Sequence, residues 1–258
     1  MNKNVAVITG ANSGIGKEFA KLLSQYEDLE EIWAFARNKE RLNELKTTLG
    51  EKVRPFSMDL TARDNLNAIK TLLAAEKPNV RYLVNCAGFA KFGDYGATDE
   101  AVSLNMIDLN IAALVGITLI CLPYMREGAH VINMSSQASF QPVPYQNLYS
   151  STKVFVKNYT RALNVELKER GINATAVCPG WMNTRLIERA YTGAAKATNE
   201  FPFITEPYPV AEKALKDAEA NKDISVYSPM IKLSHLLSKL LPHRFVMKVW
   251  LKQQHINA

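Results

Sequence analysis

Short apolar runs at residues 5–8, 32–36, 53–58, 82–84, 131–134 and 172–177 alternate with stretches whose apolar residues recur three and four apart, at 17–25, 41–49, 65–75, 101–122 and 149–170. Runs this short read as buried strands, and the longer periodic stretches as helices. A chain that alternates strand and helix in this way has few packing solutions. The one that covers every strand on both faces is a doubly wound α/β fold, a parallel sheet with helices on each side. A further helix at 209–221 and a strand at 224–227 complete it. Such sheets take ligands beyond the carboxyl ends of their strands, and the polar and glycine-bearing motifs of this chain fall at those ends.

With 258 residues, 47% hydrophobic and 22% charged, the chain is long enough to bury the sheet in one domain spanning 1–258. Cys86, Cys121 and Cys178 stand in apolar segments without metal-ligand or disulfide spacing. They read as small core residues in a reducing compartment. A strand begins by residue 5, which leaves no room for a signal peptide, and no apolar run is read as long enough to span a bilayer. A cytoplasmic protein is the expectation. The net charge of +6 is concentrated in 224–258, which holds Lys232, Lys239, Arg244, Lys248 and Lys252 and no Asp or Glu. These residues account for all but one unit of it, so no nucleic-acid partner is expected.

The first strand–helix junction carries Thr9, Gly10, Asn12, Ser13, Gly14, Ile15 and Gly16. Glycines let the backbone approach a pyrophosphate, and the helix that follows offers free N–H groups. The second strand ends at Ala36 and Arg37. An acid there would take a ribose 2′-hydroxyl, whereas an arginine suits a 2′-phosphate and so NADP(H), or simply opens the next helix. Asp59, after the third strand, accepts from an adenine amino group, caps the helix near Thr61, or does both. Asn85, Cys86, Ala87 and Gly88 close the fourth strand with small residues, as a cofactor lying on the backbone requires. Tyr149 and Lys153, four apart, share a helix face. An ammonium beside a phenol lowers the cost of the phenolate. Pro179 and Gly180 turn the chain after the sixth strand, ahead of Met182 and Thr184.

In this order and spacing, the motifs from Val5 to Thr184 resemble those of the short-chain dehydrogenase/reductase family, whose fold is Rossmann-type. Residues 9–16 look like its cofactor turn. Asn85 to Gly88 is similar to its N-N-A-G element, with Cys86 in the second place. Asn110, Ser136, Tyr149 and Lys153 match its catalytic tetrad, with Ser135 as a neighbour open to confusion with Ser136. Pro179, Gly180 and Thr184 match its P-G-x-x-x-T element. The resemblance implies exchange of hydride between NADP(H) and a ketone or secondary alcohol. It assigns Ser136 to the substrate oxygen and makes Tyr149 the general acid in reduction and the base in reverse. Lys153 would bind the nicotinamide ribose and lower the phenol pKa from about 10. Asn110 would hold a relay water, and Thr184 would fix the carboxamide. A homodimer or homotetramer built on the helices from Ala101 and Tyr149 is a family-level expectation.

Substrate choice falls to the less regular remainder. The core is expected to end near 184, a lid and last strand to fill 185–228, and a basic amphipathic tail to follow at 229–258. Gln137, Tyr145, Trp181 and Phe201 are candidate pocket residues, with 201–204 and 207–209 as an aromatic, proline-rich loop. No arginine cluster suggests a charged small substrate, so a bulky hydrophobic ketone or alcohol is expected, hydroxysteroid-like or bile-acid-like. A 3-oxoacyl lipid is the alternative, and a catalytically inactive NADP-binding regulator the alternative of another class. The tail has two readings: docking on the protein as a flap over the substrate pocket or a dimer contact, and peripheral attachment to a membrane through Leu and Trp opposite a basic face.

Overall fold

The computed structural model describes residues 2–192, 194 and 197–256. The strands are β1 (Asn4–Thr9), β2 (Glu31–Ala36), β3 (Val53–Ser57), β4 (Asn79–Asn85), β5 (His130–Met134), β6 (Asn173–Val177) and β7 (Ile224–Ser225). All pair in parallel in the order β3-β2-β1-β4-β5-β6-β7. The helices are α1 (Gly14–Leu23), α2 (Lys39–Leu49), α3 (Arg63–Glu76), α4 (Glu100–Ile107), α5 (Leu114–Cys121), α6 (Asn147–Glu166), α7 (Arg185–Ala190), α8 (Pro207–Glu219), α9 (Pro229–Leu240) and α10 (His243–Gln253). This is the doubly wound sheet expected from the alternation.

Successive strand residues point to opposite faces, and the core divides accordingly. Ala6, Ile8, Ile32, Ala34 and Val84 pack with Phe19 and Leu23 of α1, Leu42 of α2 and Val210 and Ala214 of α8. Val5, Val7, Trp33, Phe35 and Leu83 pack on the other face with Ile69 and Leu73 of α3, Ile117 and Cys121 of α5 and Leu163 of α6. Each fully buried Leu, Ile or Phe in these layers contributes roughly 2 kcal/mol. Two such layers hold the strand ends at fixed heights, which the site above them requires.

Several elements depart from the sequence reading. The stretch read as one helix at 101–122 is interrupted by a π turn, Asp108–Ala113, that carries Asn110. Glu100–Tyr124 is also long and apolar enough to cross a membrane by length and composition, contrary to expectation. Met106, Ala113, Leu114, Ile117 and Cys121 of this stretch are buried within the protein, while Leu104 and Leu119 are exposed. Pro207 and Pro209 do not belong to a loop. They stand in the first turn of α8, where a missing N–H is tolerated. The last strand stops at Ser225, two residues short of expectation.

Candidate active site

The strand order reverses between β1, which pairs with β2, and β4. A cleft opens beyond these strand ends. One part of it, about 240 Å³, is walled by Gly10, Asn12, Ser13, Gly14, Ile15 and Gly16 on one side and by Arg37, Asp59, Ala87 and Gly88 on the other, with Met182 and Thr184 above. The turn needs its glycines. Gly10 has φ +66°, and a Cβ there would lie 2.9 Å from the Ala87 nitrogen. A Cβ on Gly16 would collide with the Gly10 carbonyl. This cradle of bare backbone before a helix fits a dinucleotide pyrophosphate.

At the outer end Arg37 is joined by Arg185 and Arg189 of α7. Partial burial and the neighbouring charges of Arg185, Arg41 and Arg37 together hold the Arg189 pKa below the usual guanidinium range. Asp59 is not the cap of α3, since that helix begins at Arg63 with Ala62 as its N-cap and without a side-chain cap bond; Asp59 closes the turn ahead of it. Its Oδ1 accepts from the Thr61 amide at 3.0 Å and the Thr61 hydroxyl at 2.8 Å, while the residue also borders the groove. Partial burial raises its pKa, but the Thr61 bonds and the Arg37 charge outweigh this, and the net shift is downward. Asn85 departs from its predicted cofactor role. Its side chain is buried in the sheet and donates to Thr118 Oγ1 at 3.2 Å and Asn133 Oδ1 at 2.9 Å, so it ties β4 to α5 and β5.

The groove continues into a larger cavity of about 380 Å³, and the two share Ile15, Cys86, Gly88, Met182, Thr184 and Leu186. Cys86 therefore stands in the cleft wall, whereas Cys121 and Cys178 are buried as expected. Ser136, Gln137, Tyr149, Lys153, Pro179 and Gly180 all line the cavity. Helix α6 buries Tyr149, Thr152, Lys153, Val156, Thr160 and Leu163, the three-and-four spacing of one face. That face delivers Tyr149 and Lys153 together. Ser136 follows β5; its Oγ accepts from the Ala138 amide at 3.1 Å, and it lies by the Tyr149 hydroxyl. Ser135 is different: its Oγ donates to the Lys153 carbonyl at 2.8 Å and pins α6 to the strand end.

Asn110 lies behind this group. Its amide donates to the Phe89 carbonyl at 3.0 Å and to Thr152 Oγ1 at 3.1 Å, and its Oδ1 accepts from the Phe89 amide at 3.0 Å. A Cβ at Gly88 would meet both Asn110 Oδ1, at 2.8 Å, and Lys153 Nζ, at 3.6 Å, so the two flank the same glycine. Lys153 makes no hydrogen bond to the phenol here. Its Nζ donates to the Met134 carbonyl at 2.8 Å and lies 5.7 Å from the Tyr149 ring centroid. Burial pushes the Tyr149 phenol up to about 12, opposed by Ser136. Burial likewise pushes the Lys153 ammonium down to about 8, opposed by the thiols of Cys86 and Cys178.

Of the predicted pocket residues, Gln137 and Trp181 line the cavity, and Tyr145 and Phe201 do not. Tyr145 sits in a left-handed turn, φ +63°, whose carbonyl accepts from the Gly93 amide. Phe201 packs edge-on behind Trp181 at 4.9 Å, while the neighbouring Phe203 reaches the cavity. The sequence reading also missed Gln141, Val143 and Gln146 in the lining, and the flap over the pocket that it offered as one reading of the tail is supplied by Met230, Ile231, Trp250 and Gln253. The first three lie in an irregular loop; the others come from the tail, whose docking site carries no local signal.

The tail docks on the protein. Trp250 Nε1 donates to the Pro144 carbonyl at 3.1 Å, and His235 stacks on Phe140 at 4.1 Å. The side-chain oxygen of Gln254 accepts from the amides of Asn199 and Glu200 at 2.9 and 3.0 Å.

The family model for short chain dehydrogenases matches residues 4–194. The chain belongs to that family. As a short-chain dehydrogenase it is an oxidoreductase of CH–OH and C=O groups with a nicotinamide cofactor. An uncharacterized oxidoreductase of Staphylococcus epidermidis is 31% identical over 76% of this chain and 85% of its own length. Estradiol 17-beta-dehydrogenase 11 of Macaca fascicularis is 30% identical over 94% of this chain and 80% of its own length. Among solved structures, a short-chain dehydrogenase from Sphingobium yanoikuyae in complex with NADPH superposes with TM-score 0.78 and 25% identity, covering 95% of each chain.

Proposed function

We propose that this short-chain dehydrogenase interconverts a ketone and a secondary alcohol on a bulky hydrophobic molecule, hydroxysteroid-like or bile-acid-like, with NADP(H) as cofactor. The observation that carries this reading is the cavity itself. About 380 Å³ is walled largely by Val143, Trp181, Leu186, Ile187, Ile231 and Trp250, and Tyr149 and Ser136 also line it. A hydrophobic pocket with a few convergent polar groups suits an apolar substrate held by one oxygen. The likeness to a protein named estradiol 17-beta-dehydrogenase supports the substrate class. Arg37, Arg185 and Arg189 around one end of the groove support the 2′-phosphate form of the cofactor.

When bound, the nicotinamide supplies hydride to the carbonyl carbon or accepts it from the carbinol. Ser136 donates a hydrogen bond to the substrate oxygen. Tyr149 gives its phenolic proton to that oxygen in reduction and takes it back in oxidation. A phenol held near 12 is a willing acid only when a cation stands close, so Lys153 must turn from Met134 toward the ribose side of the cleft to play its part. Asn110, fixed by Phe89 and Thr152, braces the same corner and is the candidate for ordering a relay water. Thr184 stands where the groove meets the cavity, as a carboxamide contact requires.

Exposed Leu104 and Leu119, together with Phe155 and Val165 of α6, support a homodimer or homotetramer through these helices. Free thiols support a cytoplasmic setting.

A panel of ketosteroids, bile acids and 3-oxoacyl thioesters, assayed with NADPH and NADH, tests the reading. Turnover of the first two classes with NADPH is expected. Selective turnover of acyl thioesters transfers the assignment to a lipid ketone reductase, and binding of NADPH without any turnover to a regulator.

A further inference from the structure

The tail leaves an apolar face uncovered. Helix α9 places Ile231, His235 and Ser238 against the protein, and the opposite side presents Leu233, Leu236, Leu237 and Leu240 to solvent, with Leu240 71% exposed. Lys232 and Lys239 flank that stripe. Helix α10 turns Trp250 inward and presents Phe245 and Val249 outward, beside Arg244, Lys248 and Lys252. Soluble proteins rarely leave so many large aliphatic side chains uncovered in one contiguous patch.

We propose that the outer faces of α9 and α10 dock the enzyme on an anionic lipid surface. Three observations choose this occupant. The charge on the patch is of one sign, since 224–258 holds five Lys and Arg and no acid. Pairing the face with a second copy would set cation against cation, whereas an anionic bilayer complements it. The layout, an exposed Leu and Phe stripe bordered by Lys and Arg, is that of a helix lying in the interfacial plane. Finally, the same two helices wall the apolar cavity through Met230, Ile231 and Trp250. The cavity lining also includes exposed apolar residues, Phe203 at 70% and Met230 at 53%. The patch is thus continuous with the mouth of the cavity, and an apolar substrate dissolved in the bilayer enters without crossing water. The inner faces bind the protein and the outer faces bind lipid, so the two readings of the tail apply to opposite sides of the same helices.

The test uses the intact chain and co-sedimentation with vesicles of phosphatidylcholine alone or with one-third phosphatidylglycerol. The protein is expected to partition onto the anionic vesicles at least about tenfold more strongly, because each basic residue near such a surface contributes roughly fivefold. The triple variant Leu236→Ser, Leu240→Ser, Phe245→Ser and the double variant Lys248→Glu, Lys252→Glu each lose at least about tenfold, with melting temperature and NADPH binding unchanged. None of these residues lines the cleft. Wild-type protein that stays in the supernatant with anionic vesicles overturns the proposal, as do variants that bind as well as wild type. A change in the sedimentation coefficient of the variants without vesicle binding by wild type assigns the patch to a protein contact instead. No turnover is measured, so the outcome is independent of the substrate reading.

Discussion

The ammonium of Lys153, on helix α6, donates to the backbone carbonyl of Met134, the last residue of β5, at 2.8 Å. The bond parks the lysine at the floor of the cleft while its charge is poorly solvated. Both the reactivity and the stability of the chain are coupled to that proton.

Burial lowers Lys153 from 10.5 to about 8. Below pH 8 both folded and unfolded chains hold the proton, and the full penalty, about 3 kcal/mol, is present. Between about pH 8 and 10.5 the unfolded chain holds it and the folded chain does not, so stability rises with pH. Lys153→Met is therefore expected to melt above wild type at pH 7, by about 1–3 kcal/mol in stability, with the gap shrinking as pH rises to 9.5. Thermal melts across that range check it; a gap that grows with pH contradicts the assignment.

Tyr149→Phe keeps the ring packed on Phe92, at 6.0 Å between centroids, and removes only the hydroxyl. Turnover is expected to fall by about a hundredfold or more, with NADPH affinity unchanged. Ser136→Ala is expected to lower turnover on the same scale. Ser135→Ala, which unpins the Lys153 carbonyl, costs about 1 kcal/mol of stability. Steady-state kinetics and melts on the three variants separate the two serines.

The arginines at the outer end of the groove give a cofactor test. Arg37→Ala and Arg189→Ala are each expected to weaken NADPH binding by about tenfold or more and NADH binding little, because a charge-assisted bond to phosphate is worth about 1.5–3 kcal/mol. Fluorescence titration reads both cofactors without turnover. Equal losses for the two rule out a 2′-phosphate contact.

Asp217 of α8 is nearly buried and bonds Lys213 at 2.8 Å, Lys222 at 2.7 Å and the Ser225 hydroxyl of β7 at 2.7 Å. Burial raises its pKa, but the two lysines and Ser225 overcome this and leave it lowered. Asp217→Ala strands the partners and is expected to cost about 2–4 kcal/mol. A lowered carboxyl contributes stability above its unfolded pKa of about 3.9 that is lost as pH falls through the folded value. Denaturation curves are therefore expected to show a constant deficit from pH 8 to 5 that closes only below about pH 4.

The legible parts of the molecule were those with local periodicity. Strands alternate or run apolar over a few residues, and helices such as α6 announce their buried face at Tyr149, Lys153, Val156 and Thr160. The glycine turn after β1 was legible because Gly10 and Gly16 answer a backbone constraint that no other residue meets. Asn85 misled because its type and place suit a cofactor contact, while its partners Thr118 and Asn133 lie far along the chain. Tyr145 and Phe201 misled for a related reason: an aromatic in a loop has no periodicity to say which way it faces.

The sequence by itself determined the sheet, the chemistry-bearing residue types and their placement at strand ends, because strand and helix periods are local properties. Only the tertiary structure decided that the Lys153 ammonium rests on Met134, that the Ser135 hydroxyl is tied to the Lys153 carbonyl while Ser136 lies by Tyr149, and that the tail walls the larger cavity with one side and leaves the other bare. Those outcomes depend on which atoms meet across long stretches of chain, and a side chain's partner, burial and pKa are set by that meeting.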